Sequence, residues 1–182
     1  MARTLVPLAQ GCEELEAITV IDLLRRAGLE VVSAGLDAQP VKASRGVVLV
    51  PDTTLDEVLA ESFDMIVLPG GLPGADHLNQ DPRIHTLLQT MHQTGKHIAA
   101  ICAAPKVLAS AGLLQGRRAT AYPGTLEKTG QAGIAIDSGA VVRDGTVITS
   151  RGPGTAMDFA LELIEVLAGS AKRLEVEKAL VR

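Results

Sequence analysis

Residues 97–112, HIAAICAAPKVLASAG, change character at Cys102. The residues before the cysteine are mostly apolar and form a run short enough for one buried strand. Small and helix-forming residues follow it, so the pattern predicts a helix that starts at Ala103. A cysteine at the junction of a strand and a helix raises the question of whether it fills space or reacts.

The rest of the chain repeats this alternation of short apolar runs with runs of helical spacing. In residues 13–28 the apolar side chains of Leu15, Ile18 and Ile21 recur at helical intervals, and the run ends at Gly28. Strands are predicted at residues 4–9, 29–36, 46–52, 63–71 and 97–102, and a hairpin at residues 140–150 with Asp144-Gly145 as its two-residue turn.

The predicted helix starts carry capping signals. Thr54 and Glu57 form a capping-box pattern. Asp81 is expected to cap the next helix, with Pro82 at its first position. Thr155 is expected to cap a later helix, and the polar tail that follows is expected to add a last one.

Strands that alternate with helices predict an α/β fold with a mainly parallel sheet covered by helices on both faces. No linker, repeat or low-complexity segment divides the chain, so residues 1–182 are expected to form one domain. Pro7 conflicts with a regular first strand, because proline removes a backbone donor. The strand is therefore expected to be interrupted there or to take a different register.

Composition excludes several classes of function. The net charge is −4 and only 2% of residues are aromatic, which argues against nucleic acid as a primary ligand. The first residues lack a signal-peptide pattern, and no segment has the roughly 18 apolar residues of a membrane span. We therefore expect a cytoplasmic protein that does not associate with membranes. Cys12 and Cys102 lie far apart without metal-ligand spacing, so neither a disulfide framework nor a metal site is expected.

Four unusual segments follow predicted strands at the carboxyl edge of the sheet, where such folds bind ligands. They are residues 10–16, 69–77, 102–105 and 150–155. Glycine pairs let backbone N–H groups approach a ligand, and a helix beginning after Cys102 would favour a thiolate. The small residues after the cysteine resemble a nucleophile elbow. A buried cysteine can equally be a small hydrophobic side chain, and spacing leaves both roles open.

Two kinds of side chain could act as a base beside Cys102. Glu13, Glu14 and Glu16 fall in the first turn of a helix, where carboxylates serve as caps. Glu16 also lies among apolar residues, so a desolvated carboxyl with a raised pKa is a second possibility. His77 is the one histidine at a suitable position after the glycine loop. The other three, expected on a solvated face, are His85, His92 and His97.

The segments GCEELEAI, IVLPGGLPGA, AAICAAP and TSRGPGT occur in this order across nearly the whole chain. This combination resembles the ThiJ/PfpI superfamily, specifically its Parkinson-disease protein deglycase branch and close bacterial relatives. The resemblance implies a flavodoxin-like (Rossmann-like) three-layer sandwich of the class I glutamine amidotransferase-like type. It also implies a homodimer that needs neither metal nor organic cofactor.

The same resemblance assigns roles to individual residues. Cys102 matches the reactive cysteine, and Glu16 matches the carboxyl beside it. Gly71 and Ala103 match the backbone donors of an oxyanion hole. Further positions expected to line the site are Gly70, Tyr122 and His77, together with Arg26 and Arg45, which in relatives lie near the dimer interface and can hold an anion but could equally be surface charges here.

The chain departs from the wider superfamily in its histidines. Some relatives carry a histidine where this chain has Tyr122, whose phenol can still donate a hydrogen bond. Protease-like and amidotransferase-like members place a histidine beside the nucleophile or in a distal His-x-Glu pair, and this sequence has neither pattern. A Cys-His-acid triad is therefore disfavoured.

The resemblance implies a cysteine-dependent glyoxalase or deglycase, a lyase or hydrolase for methylglyoxal-type dicarbonyls or their early adducts, in carbonyl and oxidative stress defence. The alternative is a redox sensor or redox-regulated chaperone that works through oxidation of Cys102. Both hypotheses need Cys102 and Glu16, and they differ in whether the cysteine turns over. A cysteine peptidase or amidase is a third hypothesis, for which His77 would have to supply the base.

Overall fold

A seven-stranded sheet forms the middle layer of the structure, a computed structural model that describes residues 1–182. Its order is β10-β11-β7-β6-β1-β2-β5, and only β10 and β11 are antiparallel neighbours. The strands are β1 Arg3–Leu8, β2 Glu30–Gly35, β3 Val41–Lys42, β4 Val48–Leu49, β5 Thr53–Thr54, β6 Met65–Leu68, β7 His97–Ile101, β8 Arg118–Ala119, β9 Ala135–Ile136, β10 Val141–Asp144 and β11 Val147–Ser150.

Helices cover both faces of the sheet, as the alternating pattern predicts. One face packs against α1 and α6, and the other against α3, α4 and α5. The helices are α1 Glu14–Arg26, α2 Leu55–Val58, α3 Gly74–Gln80, α4 Pro82–Gln93, α5 Pro105–Ser110, α6 Ala156–Ala168 and α7 Ser170–Ala179. The fold is the expected three-layer α/β sandwich. No helix is long and apolar enough to cross a membrane.

The alternation of side chains along β1 divides the core into two clusters. Val6 and Leu8 belong to the cluster beneath α1 and α6, whereas Leu5 belongs to the cluster on the opposite face. All three side chains are buried. The carboxyl ends of β1, β6 and β7 therefore open between two packed helical layers.

Pro7 does not interrupt β1. The strand pairs with β2 over its whole length, and Pro7 lies opposite Ala34. Leu8 accepts a hydrogen bond from Leu36 on the β2 side, so the adjacent Pro7 nitrogen faces β6 by alternation. Pairing with β6 is confined to Thr4 and Leu5, so the missing donor falls where that ladder has ended.

The predicted strand at residues 46–52 is confirmed only at Val48–Leu49, as β4, and it does not join the central sheet. β3 and β4 form a separate two-stranded antiparallel sheet, and only β5 adds to the edge of the central sheet. The apolar run misleads because its valines are not core residues: Val48 and Val50 are 61% and 80% exposed. Apolar composition predicts a buried strand only when the side chains find a packing partner.

Local capping predictions are mostly confirmed. Asp81 accepts a hydrogen bond from the Arg83 N–H at 2.9 Å, and Thr54 begins α2 in a capping box. Thr155 precedes α6 but does not cap it, because its hydroxyl bonds the Gly152 N–H.

The hairpin and the last helix are also present. Asp144 pairs with Val147, so the turn is Gly145-Thr146 and lies one residue later than predicted. The polar tail forms α7.

Phe159, on α6, is the largest of the fully buried side chains. We expect Phe159→Ala to lower the free energy of unfolding by about 3–5 kcal/mol, because the cavity lies in a close-packed layer. Equilibrium unfolding in urea measures this loss. Leu174→Ala, at a site 63% exposed on α7, is the control and should change stability by less than about 1 kcal/mol. Equal losses in both variants would contradict this description of the core.

Candidate active site

Cys102 sits at a strained turn directly after β7. Its φ is +64°, a left-handed conformation that costs a residue with a Cβ of order 1 kcal/mol or more. The Cys102 N–H donates to the Ser150 carbonyl at 3.0 Å, and the Cys102 carbonyl accepts from the Tyr122 N–H at 2.8 Å. These bonds to both sides of the residue hold the turn, which has the geometry expected of a nucleophile elbow.

The helix after the cysteine begins later than predicted. α5 starts at Pro105, and residues Ala103 and Ala104 form a turn. Proline is favoured at the first position of a helix because it has no N–H group that would need a partner there, which explains why α5 starts at Pro105. The sequence predicts Ala103 as the first helical residue, but its N–H group, which acts on the Cys102 thiol, precedes the helix.

Two glycines fill the space between the cysteine and α1. A Cβ on Gly70 would lie 2.7 Å from the Cys102 Cβ and 2.8 Å from Glu16 Oε2. Gly71 has a φ of +86°, and a Cβ there would lie 2.4 Å from the Glu13 nitrogen. Positions 70 and 71 therefore admit only glycine, and the backbone of this loop lies against both Cys102 and Glu16.

Three neighbouring glutamates have three different roles. Glu13 caps α1, with its carboxylate accepting from the Glu16 N–H at 2.9 Å. Glu14 binds the Arg45 N–H at 2.9 Å and so anchors the turn between β3 and β4. Glu16 points inward, is 0% exposed, and accepts from the Gly70 N–H at 2.8 Å through Oε2. The inward-facing alternative for Glu16 is the one that the structure contains.

Burial sets the protonation of Glu16. It raises the pKa of this carboxyl to about 7, against the hydrogen bonds from Cys102 and from the Gly70 N–H, which lower it. Oε1 is buried and has no hydrogen-bond partner. At neutral pH the carboxyl is therefore close to the midpoint of its titration, where it can both give and take a proton.

Burial also raises the pKa of Cys102 to about 12, and the Glu16 carboxylate adds to the effect. The N–H groups of Gly71 and Ala103 act in the opposite direction. The sequence predicts that Cys102 favours the thiolate form, and this prediction is wrong while the Glu16 carboxyl is charged. When Glu16 carries the proton, its charge no longer opposes the thiolate, so the two groups titrate as a pair.

The Gly71 and Ala103 N–H groups are directed at the sulfur of Cys102. Neither donates to a backbone carbonyl or to another side chain. Unpartnered donors beside a nucleophile can stabilise negative charge on sulfur or on an adjacent oxygen. The structure thus brings together five of the positions expected at the site, namely Cys102, Glu16, Gly70, Gly71 and Ala103.

The other expected site residues lie at different distances from this centre. The Tyr122 side chain is 54% exposed and packs 3.5 Å from the position a Cβ on Gly152 would take. Arg26 pairs with Asp22 at 2.8 Å at the exposed end of α1. Arg45 is exposed, and only its backbone N–H is engaged. Within one chain neither arginine contacts the cysteine or its carboxyl.

The structure does not bring His77 to Cys102. Its Nδ1 lies 3.0 Å from the Gln10 carbonyl, and its ring lines a cavity of about 570 Å³ together with Asp81 and Arg83. His85, His92 and His97 are half-buried on or beside α4 and are not near the site. The expected contribution of His77 fails because α3 turns this side chain towards the end of β1.

Sequence reasoning missed the backbone groups that hold the turn. The Ser150 carbonyl fixes Cys102 from β11, and the Gly11 carbonyl receives the Gly74 N–H at 3.2 Å. Carbonyls leave no side-chain signature, so no pattern could have identified them. Cys12 is fully buried, and burial raises the pKa of its thiol to about 12. No group of three or more acidic, histidine or cysteine side chains could hold a metal ion.

Comparison with known proteins gives consistent matches over the chain. The model of the DJ-1/PfpI family matches residues 2–166. Protein dj-1beta of Drosophila melanogaster is 47% identical and spans 97% of this chain and 95% of its own length. Its crystal structure matches with a TM-score of 0.95 and 46% identity over 99% of this chain and 97% of that one.

Two other relatives carry informative names. The Parkinson disease protein 7 homolog of Danio rerio is 40% identical over 98% of this chain and 96% of its own length. The glutathione-independent glyoxalase DJR-1.2 of Caenorhabditis elegans is 41% identical over 94% of this chain and 91% of its own length.

The raised pKa of Glu16 has a consequence for stability. The folded state holds a proton that the unfolded chain releases above its ordinary pKa of 4.5. Stability from this proton is complete below about pH 4.5 and is lost as the pH rises through about 7. Between pH 5 and 8 we expect the wild type to lose up to about 3 kcal/mol more unfolding free energy than Glu16→Gln. Parallel urea-unfolding curves for the two proteins across this range would contradict the assignment.

Proposed function

The chain belongs to the DJ-1/PfpI family, and from this we propose that it is a cysteine-dependent, cofactor-independent glyoxalase for methylglyoxal-type dicarbonyls. The observation that carries the proposal is the pairing of Cys102 with the buried Glu16 beneath two unpartnered N–H donors. A relative named as a glutathione-independent glyoxalase supports the reaction type.

The reaction begins with addition of the sulfur to the aldehyde. Cys102 passes its proton to Glu16, and the thiolate forms a C–S bond with the aldehyde carbon. The carbonyl electron pair moves onto oxygen, where the Gly71 and Ala103 N–H groups stabilise it. Glu16 then protonates this oxygen and is left as the carboxylate. The product of this half is a hemithioacetal bound covalently to Cys102.

The second half moves a proton between the two substrate carbons. The Glu16 carboxylate removes the proton from the carbon bonded to sulfur, which gives an enediolate, and returns it to the neighbouring carbon. The hydroxyl proton on the carbon bonded to sulfur passes to the oxygen of the neighbouring carbon, so that the first oxygen becomes the thioester carbonyl. The product is a lactoyl thioester of Cys102. Water attacks the thioester, the C–S bond breaks, and the thiol regains its proton as lactate leaves. In the overall reaction, one dicarbonyl and one water give one 2-hydroxy acid, and neither an oxidant nor a reductant is needed.

The same groups support action on early adducts, because an aldehyde carbon masked by an amine or thiol becomes available when the adduct reopens. Deglycase activity is therefore part of the proposal, as is a cytoplasmic role in carbonyl and oxidative stress defence. His77, the histidine expected at the site, bonds the Gln10 carbonyl and not Cys102, which argues against the base that a peptidase or amidase would require.

A redox sensor or redox-regulated chaperone is the second candidate. Cys102 is 8% exposed, so a small oxidant can reach it, and the Glu16 carboxyl beside it can donate a hydrogen bond to a sulfinate. The two candidates differ in stoichiometry. A glyoxalase consumes many dicarbonyl molecules per cysteine, whereas a sensor stops after one oxidation.

We also propose that the protein is a homodimer. Leu15 and Ile18 on α1 are 50% and 46% exposed, Val48 on β4 is 61% exposed, and Met157 on α6 is 46% exposed. α6 packs against α1, and Glu14 joins the turn between β3 and β4 to the start of α1. Adjacent exposed apolar side chains of this kind mark an association surface.

Turnover of methylglyoxal without added metal or glutathione tests the proposed reaction. We expect repeated formation of lactate by the wild type, and a loss of at least about 10²-fold in kcat/KM for Cys102→Ala and for Glu16→Gln, since each removes a group that acts in the transition state. Lactate is quantified over time at pH 7.

Cys12→Ala is the matched control, because it removes the other buried thiol, and it should retain turnover. Lactate that stops at one equivalent per chain would overturn the glyoxalase assignment in favour of the redox candidate. Full activity in Glu16→Gln would remove the carboxyl from the mechanism.

For the homodimer, we expect Ile18→Glu to yield monomers, because a carboxylate would be desolvated at the interface. Light scattering after size exclusion gives the mass, with the chain weighing 19.0 kDa. Leu59→Glu is the control and should remain dimeric, because this exposed residue follows α2, whose buried residues Leu55 and Val58 pack on the opposite face of the sheet. A wild-type mass of one chain at all concentrations would contradict the proposal.

A further inference from the structure

An ion pair joins the two helices that follow the oxyanion-hole residues. Asp76 lies in the first turn of α3, shortly after Gly71. Lys106 lies in the first turn of α5, shortly after Ala103. The Lys106 ammonium contacts the Asp76 carboxylate, and the lysine side chain is 21% exposed.

Few other directional contacts fix the distance between these segments. No backbone hydrogen bond connects residues 69–80 with residues 102–111. Apart from the Gly71 N–H that is directed at the Cys102 sulfur, the bond from Lys106 to Asp76 is the one side-chain hydrogen bond between these segments. Leu78 of α3 and Val107 of α5 are buried in the same core cluster, but apolar packing is non-directional. The separation of the Gly71 and Ala103 N–H groups is therefore not set by either segment alone.

We propose that Lys106 and Asp76 are positioning residues, whose pairing holds the Gly71 and Ala103 N–H groups in place around the sulfur of Cys102. The inference rests on the proposed function where turnover is concerned, but the geometry at the sulfur can be tested without a substrate. Lys106 and Asp76 are paired with each other, so their opposite charges largely cancel at the sulfur, and the proposed effect is one of geometry.

Alkylation of Cys102 by iodoacetamide reports on the donors directly, because only the thiolate displaces iodide. The second-order rate constant is measured on the full chain between pH 5 and 9, with Cys102→Ala as the blank for Cys12. We expect Lys106→Met and Asp76→Asn each to slow alkylation two- to five-fold, a range suited to a partly exposed ion pair. The double variant should be no slower than either single variant, because the two single variants and the double variant all lose the same ion pair.

Exchanging the two charges distinguishes an effect of the ion pair on geometry from an effect of its electric field on the sulfur. The variant with Lys106→Asp and Asp76→Lys re-forms the pair with reversed polarity, and we expect it to restore alkylation to within about two-fold of the wild type. Lys96→Met and Asp64→Asn break a matched ion pair of 2.9 Å at the other end of the sheet and should leave the rate unchanged.

Wild-type rates in both single variants would overturn the inference, as would a charge-exchanged variant that stays slow. Methylglyoxal turnover is followed in parallel, and we expect kcat to fall two- to five-fold with KM unchanged. Absence of turnover in the wild type would overturn the proposed function and leave the alkylation result intact as a test of the positioning role.

Discussion

A carboxyl group sealed from solvent beside a cysteine is the constraint that the rest of the site serves. Glu16 has no cationic partner, and a permanently charged carboxylate in that position would be strongly unfavourable. The carboxyl therefore keeps a proton close to neutral pH, and Cys102 is the side chain with which it can exchange that proton. The backbone of the glycine loop supplies the one fixed donor, the Gly70 N–H.

The surroundings of this pair are arranged so that neither group can move away. Cys102 is held in a left-handed conformation by bonds to β11 and to Tyr122. The loop at Gly70 and Gly71 is packed so closely against α1 that side chains cannot be accommodated. Strain at one residue and exclusion of side chains at two others are costs to stability that the two packed helical layers offset. Such costs are found where geometry serves chemistry.

The sequence allows much of this to be predicted, because many determinants are local. The cap at Asp81, the strand before Cys102 and the apolar surroundings of Glu16 are encoded within a few residues of each feature. The errors arise where distant contacts decide. The run around Val48 looks like a strand of the central sheet, but it lies outside that sheet and its valines are exposed. The direction of His77 depends on how α3 leaves the glycine loop. The position of Pro105 could have corrected the helix start, since proline commonly opens a helix.

The protonation of Glu16 is the claim on which the site depends, and the carbon-13 chemical shift of its carboxyl group measures it directly. The spectrum of glutamate-labelled protein is followed from pH 3 to 9, and Glu16→Gln identifies the resonance. We predict a midpoint near 7, well above the ordinary value of 4.5, and a change in that midpoint when Cys102 is replaced by alanine. A Glu16 resonance with a titration midpoint near 4.5 that does not change in Cys102→Ala would contradict the account in which the two groups share a proton.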